Sequence, residues 1–171
     1  MKGVEGVMAF QIEEQFENED LSFTGGCDYQ LDDKFRMKIP AAFSKGLGDG
    51  FAIIKGIGKS LKVITKEEAK KLKQLFRNIN PYDLEAQAYK REIAALWDEP
   101  KVDSQGRFVL NQRLRQIANI NRSMVINGVF DHLEIWAKEE HELRQLYNEK
   151  EMNAAMKAIY DTEVNKVKNG I

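Results

Sequence analysis

With 171 residues the chain is long enough for one ordinary domain, or for two small halves folded together. Its 43% hydrophobic and 31% charged residues give a soluble globular profile rather than that of a disordered chain, and no apolar run is long enough to span a bilayer. A net charge of −1 argues mildly against a nucleic-acid partner, and the single cysteine, Cys27, excludes an internal disulfide and suits a reducing cytoplasm.

Residues 1–22 carry six acidic groups against the single Lys2 and lack the apolar core of a secretion signal, so they read as an acidic N-terminal extension. Around Leu31-Asp32-Asp33-Lys34-Phe35-Arg36 the pattern predicts a short strand, a tight polar turn and a second short strand that carries Arg36 away. Ala41–Leu47 reads as a short helical or irregular piece, and Phe51–Lys55 and Leu61–Ile64 as apolar strands. Thr65 with Glu68 forms a capping box that starts a helix, which runs to about Ile79 and is stopped by Asn80-Pro81. A second helix spans about Asp83 to Trp97, with Leu84, Ala88, Ile93 and Leu96 at apolar positions, and ends before Pro100.

The order of elements then starts again. Val102-Asp103-Ser104-Gln105-Gly106-Arg107 predicts the same strand, turn and strand, with Gly106 supplying a positive φ. Gln112–Ile120 matches the short helical piece, and Met124–Asn127 and Leu133–Trp136 match the strands, with Leu133 and Ile135 alternating against Glu134 and Trp136. A helix follows from Lys138 to about Val167, striped by Leu143, Leu146, Tyr147, Met156, Ile159, Tyr160 and Val164. The two copies align position by position. Leu31–Pro40 lies over Val102–Asn111, Gly56 over Gly128, Leu61 over Leu133, and Lys66-Glu67-Glu68 over Lys138-Glu139-Glu140, with the offset growing from 71 to 72.

Catalytic chemistry is thin. His132 and His141 have no second His or Cys at metal spacing, and Cys27 has no base nearby in sequence, so no metal, cofactor or enzymatic centre is expected. Gly56-Ile57-Gly58-Lys59-Ser60 ends like a phosphate loop, but Ile53 stands where its first glycine belongs and strands are predicted on both sides. Gly46, Gly48 and Gly50 fail dinucleotide spacing because Phe51 occupies the third glycine position.

The two Asp-x-x-x-Arg turns remain. Charge is unevenly distributed around them: Lys101, Arg107, Arg113, Arg115 and Arg122 face only Asp103, and Lys34, Arg36, Lys38 and Lys45 face Asp32 and Asp33. An arginine beside a tight turn can present its planar guanidinium to guanine O6 and N7, or it can simply pair with the aspartate four positions earlier. Spacing alone leaves both readings open.

Phe23-Thr24-Gly25 with Leu31-Asp32, the turns at Asp32–Arg36 and Asp103–Arg107, Leu114-Arg115, and Gly128-Val129 with Leu133-Glu134-Ile135-Trp136 together resemble the MraZ family over Phe23 to about Tyr147. The resemblance implies an α+β fold of two tandem AbrB-like swapped-hairpin repeats forming a β-barrel, with intervening and C-terminal helices. It divides the chain into the extension at 1–22, a first repeat with its helix at 23–80, a connecting helix at 81–100, a second repeat at 101–137 and a C-terminal helix at 138–171. It also implies a cytoplasmic, nucleoid-associated regulator that binds short tandem repeats in double-stranded DNA upstream of the division and cell-wall gene cluster and assembles into a homo-oligomeric ring. No membrane and no small-molecule substrate is implied. Carried over by motif position, Lys34, Arg36, Lys38, Gln105 and Arg107 are the expected DNA contacts, with Asp32, Asp103 and Gly106 shaping the turns.

Three positions depart from the pattern. Phe35 replaces a glycine in the first turn, which implies a differently shaped hairpin or a ring that meets DNA or a neighbouring subunit. Gln105 stands at the position of Lys34, and Asn111 at that of Pro40. Two rivals follow: a ring-forming interaction scaffold without DNA binding, suggested by Phe35 and the acidic start, and an AbrB-like antitoxin, which would need a disordered carboxyl tail where 143–167 reads as an amphipathic helix.

Overall fold

The computed structural model describes residues 23–144 and 149–168 of the chain. The acidic extension at 1–22 lies outside the described residues, as do Leu146 and Tyr147 of the predicted apolar stripe. The chain divides into one unit ending at Lys138 and a second from Glu139 onward.

In the first unit, β1 (Gly26–Gln30) and β2 (Arg36–Lys38) flank the first turn, followed by helix α1 (Ala41–Leu47) and strands β3 (Phe51–Lys55) and β4 (Ser60–Thr65). Helices α2 (Lys66–Arg77) and α3 (Leu84–Ala95) come next. The order then repeats as β5 (Arg107–Val109), α4 (Gln112–Ile117), β6 (Ser123–Gly128) and β7 (Leu133–Ala137). The fold is α+β. One antiparallel sheet has the order β1-β6-β7-β4-β3, and β2 and β5 form a separate two-stranded ribbon.

Local chemistry explains where most elements start and stop. The Thr65 hydroxyl accepts the N–H of Glu68 at 3.1 Å, and the Asp83 carboxylate accepts that of Ala86 at 3.0 Å, so both long helices begin on side-chain caps. Asn111 caps α4 by accepting the N–H of Arg113 at 2.9 Å; the helix ends at Ile117, three residues before the expected Ile120, and Asn119 at φ 55° turns the chain away. The Gly-Lys-Ser stretch is a hairpin turn between β3 and β4, closed by Gly56 N–H to Ser60 O at 2.9 Å.

Strands β3 with β4 and β6 with β7 pair as local hairpins, but the strands at the two turns do not. At the first turn the Asp32 N–H donates to Arg36 O at 3.1 Å, but the strands part immediately beyond it: β1 pairs with β6 and β2 pairs with β5. Before Asp103 there is no strand, and Asp98 bridges to Ile53 instead. The partners of β1, β2 and β5 therefore come from the other copy. The registers follow a rule. In the ribbon Arg36 faces Val109, Met37 faces Phe108 and Lys38 faces Arg107, an arrangement unchanged when aligned positions of the two copies are exchanged. The pairing of β4 with β7 does the same about Lys62 and Glu134.

Met37 and Phe108, the inward residues of the ribbon, join Leu31, Phe43, Leu61, Val63, Leu114, Leu133 and Ile135 in the main core. The opposite face of the sheet carries a smaller cluster of Ala52, Ile54, Ile64 and Ala69, with Leu72 and Trp97 against it. Trp136, on the middle strand of the sheet and pointing away from Leu133 and Ile135, is buried as they are. Its indole N–H donates to Glu134 at 2.8 Å. Gly128 has no side chain because the backbone of Phe23 and Thr24 runs within 2.7 Å of where a Cβ would stand.

The described residues of the predicted C-terminal helix are helical, as α5 (Lys138–Arg144), whose first residue still belongs to the first unit, and α6 (Glu149–Lys168); residues 145–148 lie outside the described residues. Met152, Met156, Ile159, Tyr160 and Val164 are exposed. No described helix is long and apolar enough to cross a membrane.

Candidate nucleic-acid interface

Each Asp-x-x-x-Arg segment closes on itself through the same set of bonds. In the first turn, Asp32 Oδ1 accepts the N–H groups of Lys34 at 2.9 Å and Arg36 at 2.8 Å, while Oδ2 accepts Arg36 Nε at 2.8 Å. In the second, Asp103 Oδ1 accepts from Gln105 at 2.8 Å and Arg107 at 2.9 Å, and Oδ2 from Arg107 Nε at 2.9 Å. The backbone closes identically, Phe35 N–H to Asp32 O and Gly106 N–H to Asp103 O, both at 2.9 Å. These bonds favour the ionised carboxylate. The N–H of Arg36 is the largest cause holding Asp32 below its ordinary value, and its guanidinium and the Lys34 N–H add to it against partial desolvation. Asp103 is lowered in the same way, first by the N–H of Arg107.

The turn needs a left-handed residue at its fourth position. Gly106 meets that need at φ 76°, and Phe35 adopts φ 57° despite its Cβ. Its ring is held from the protein side. The Arg115 guanidinium carbon lies 3.7 Å from the ring centroid and that of Arg122 lies 5.7 Å away, and the turn keeps the backbone closure of its glycine-bearing copy. Arg115 is pinned by its Nε on Leu110 O at 3.1 Å, and burial lowers the pKa of its guanidinium.

Pairing of ion and turn does not hide the arginines. In each, Nε is engaged while the terminal nitrogens make no protein hydrogen bond among the described residues, and the side chains remain 27% and 29% exposed for Arg36 and Arg107. Because strand side chains alternate, burial of Met37 and Phe108 sends their neighbours outward. Arg36, Lys38 and Arg107 therefore share the outer face of the ribbon with Val109. Lys34 and Gln105 stand exposed at the two turn tips. Among the described residues no group of three or more His, Cys, Asp or Glu side chains is placed to hold a metal ion.

The chain is 35% identical over 133 residues to the transcriptional regulator MraZ of Mycolicibacterium smegmatis, an overlap of 78% of the chain and 93% of that protein. The chain belongs to the MraZ family. The family's sequence profile, described as "MraZ protein, putative antitoxin-like", matches residues 96–162. Two further transcriptional regulators MraZ agree: that of Mycobacterium ulcerans at 36% over 140 residues (81% of the chain, 98% of that protein), and that of Natranaerobius thermophilus at 32% over 142 (83% and 99%). These MraZ relatives are named as regulators, not as enzymes. Motif matching to the family singled out the turns but not Arg115 and Arg122 as site residues. Their signal was the excess of cations over 101–122, which says nothing of where they fold back.

Proposed function

We propose that this chain is a sequence-specific DNA-binding transcriptional regulator that represses by occupancy. Its operators are short tandem repeats upstream of the division and cell-wall gene cluster, and its working form is a homo-oligomeric, nucleoid-associated ring. The single observation that carries the reading is the ribbon: two short strands in mirrored register, with Arg36, Lys38 and Arg107 on one outer face. A major groove admits a two-stranded β-ribbon, and arginine reads guanine there bidentately. In this reading the chain carries two tandem AbrB-like swapped-hairpin repeats, an assignment supported by strand partners that are exchanged between the copies. Lys34 and Lys38 neutralise phosphates, Gln105 offers a base-edge donor and acceptor, and ring assembly adds weak single contacts through high effective concentration.

A fluorescent duplex of the DNA immediately upstream of this chain's own reading frame, compared with a scrambled duplex, tests the reading directly. Arg36→Ala is expected to abolish the preference for the upstream duplex while the circular dichroism spectrum stays unchanged. Unchanged preference in Arg36→Ala and Arg107→Ala would overturn the role given to the two arginines, and a wild-type chain that binds neither duplex would leave the interaction-scaffold reading in its place. Light scattering of the same sample tests the ring. The family profile's antitoxin-like description favours a second reading, but α6 is a 20-residue helix where a toxin-wrapping tail would be disordered.

A further inference from the structure

We propose that Arg115 and Arg122 are DNA-phosphate contacts of the first turn, seated there by Phe35, so that the two turns of one chain hold DNA unequally. This rests on the regulator reading above. The first turn keeps a side chain in a backbone conformation that favours glycine, and the ring so placed is the platform on which the Arg115 guanidinium lies at 3.7 Å. Beside it opens a cleft of about 550 Å³, lined by Phe35, Gln112, Arg115, Gln116 and Asn121, which offers a guanidinium and amide donors to an anionic oxygen. Arg122 is the second cation at the ring. Its partner Asp33, at 2.6 Å, is 94% exposed, and an ion pair so open to water is readily exchanged for a phosphate.

The aligned positions at the second turn carry neither an aromatic ring nor a matching pair of arginines. Gly106 takes the place of Phe35, and Ser44, whose hydroxyl donates to Ala41 O at 3.0 Å, takes the place of Arg115. The position matching Arg122 falls on Gly50 or Phe51. At the tips, Lys34 faces Gln105 in the comparison. Among the described residues the first turn thus gathers Lys34, Arg36, Arg115 and Arg122, and the second has Arg107 with Lys38 across the ribbon and a neutral amide at its tip. A duplex lying across both turns loses more counterions at the first.

The experiment is salt-dependent anisotropy of the full chain on the upstream duplex. Arg115→Gln and Arg122→Gln are each expected to flatten the slope of log affinity against log salt by about 0.9, the value for one lost phosphate contact on duplex DNA. Arg115→Lys should retain the slope, and Ser44→Ala, at the equivalent place, should not change it. Phe35→Gly gives the first turn the residue of the second, and should flatten the slope by unseating Arg115 while Arg36-dependent preference for the upstream duplex persists. Should Arg115→Gln fail to fold, Arg122→Gln and Phe35→Gly carry the test. Slopes unchanged in these variants, with Arg36→Ala still abolishing preference, overturn the proposal and leave the regulator reading standing. A flattened slope at one arginine alone keeps that contact and removes the other. A wild-type chain with no preference for the upstream duplex overturns both.

Discussion

Phe35 and Gly106 occupy the same place in two copies of one turn and meet the same backbone demand by different means. At Gly106 the surroundings are open, with nothing within 4 Å of a would-be Cβ, so Gly106→Ala isolates backbone strain. It should destabilise by about 1–2 kcal/mol, read from the urea midpoint at unchanged slope. Phe35→Gly removes that strain but also strips a half-buried ring from beneath Arg115, and should cost no more than about 1 kcal/mol net. The aspartates give a pH signature. Both carboxylates are lowered in the folded chain, so their contribution is present above the ordinary carboxylate value of 3.8 and is lost as pH falls through the depressed folded value. Asp103→Asn should therefore be less stable than wild type at neutral pH, with the gap closing in strong acid; a gap constant across a urea titration series would show that the turn does not sense ionisation. This much could be read from the residues, since Asp at a turn and Gly at positive φ are local chemistry. The Arg115–Phe35 stack could not, because it joins positions far apart in the chain.

At the level of elements, the Thr65 capping box and apolar alternation located most helices and strands, Thr65 most sharply, whereas the Asp83 cap shows only in the fold. Partners were another matter. A polar turn between two short strands ordinarily signals a hairpin, and here the turn closes but the strands part to opposite destinations. Three-residue strands carry too little pattern to state a partner, and it is the inward Met37 and Phe108, each buried in the main core, that fix the ribbon in place. Met37→Ala should destabilise by about 2–5 kcal/mol through the cavity it leaves. It should also weaken DNA binding at temperatures where the chain remains folded, since the outer arginines ride on the same three-residue strands. Melting followed by circular dichroism, with anisotropy at low temperature, separates the two effects. A stability loss with unaltered affinity would mean that the ribbon does not position the arginines.

For the molecule as a whole, the core lies in the unit ending at Lys138, and the described residues of the second unit bury none of their side chains. Truncation after Lys138 is accordingly expected to move the melting temperature by less than about 4 °C, the shift that roughly 1 kcal/mol produces in a chain of this size. A larger fall, measured by calorimetry at one protein concentration, would assign the C-terminal helices a share of the core's stability. The alignment of the two copies was plain in the sequence, yet it could not announce that the copies trade strands, because an alignment compares halves without saying which touch. One consequence reaches beyond binding. A ribbon built by two identical subunits would inherit every substitution twice, once per strand. Here a single polypeptide supplies both edges, so a mutation is written on one side only, and each half can drift toward its own stretch of sequence while its mate holds the original contact.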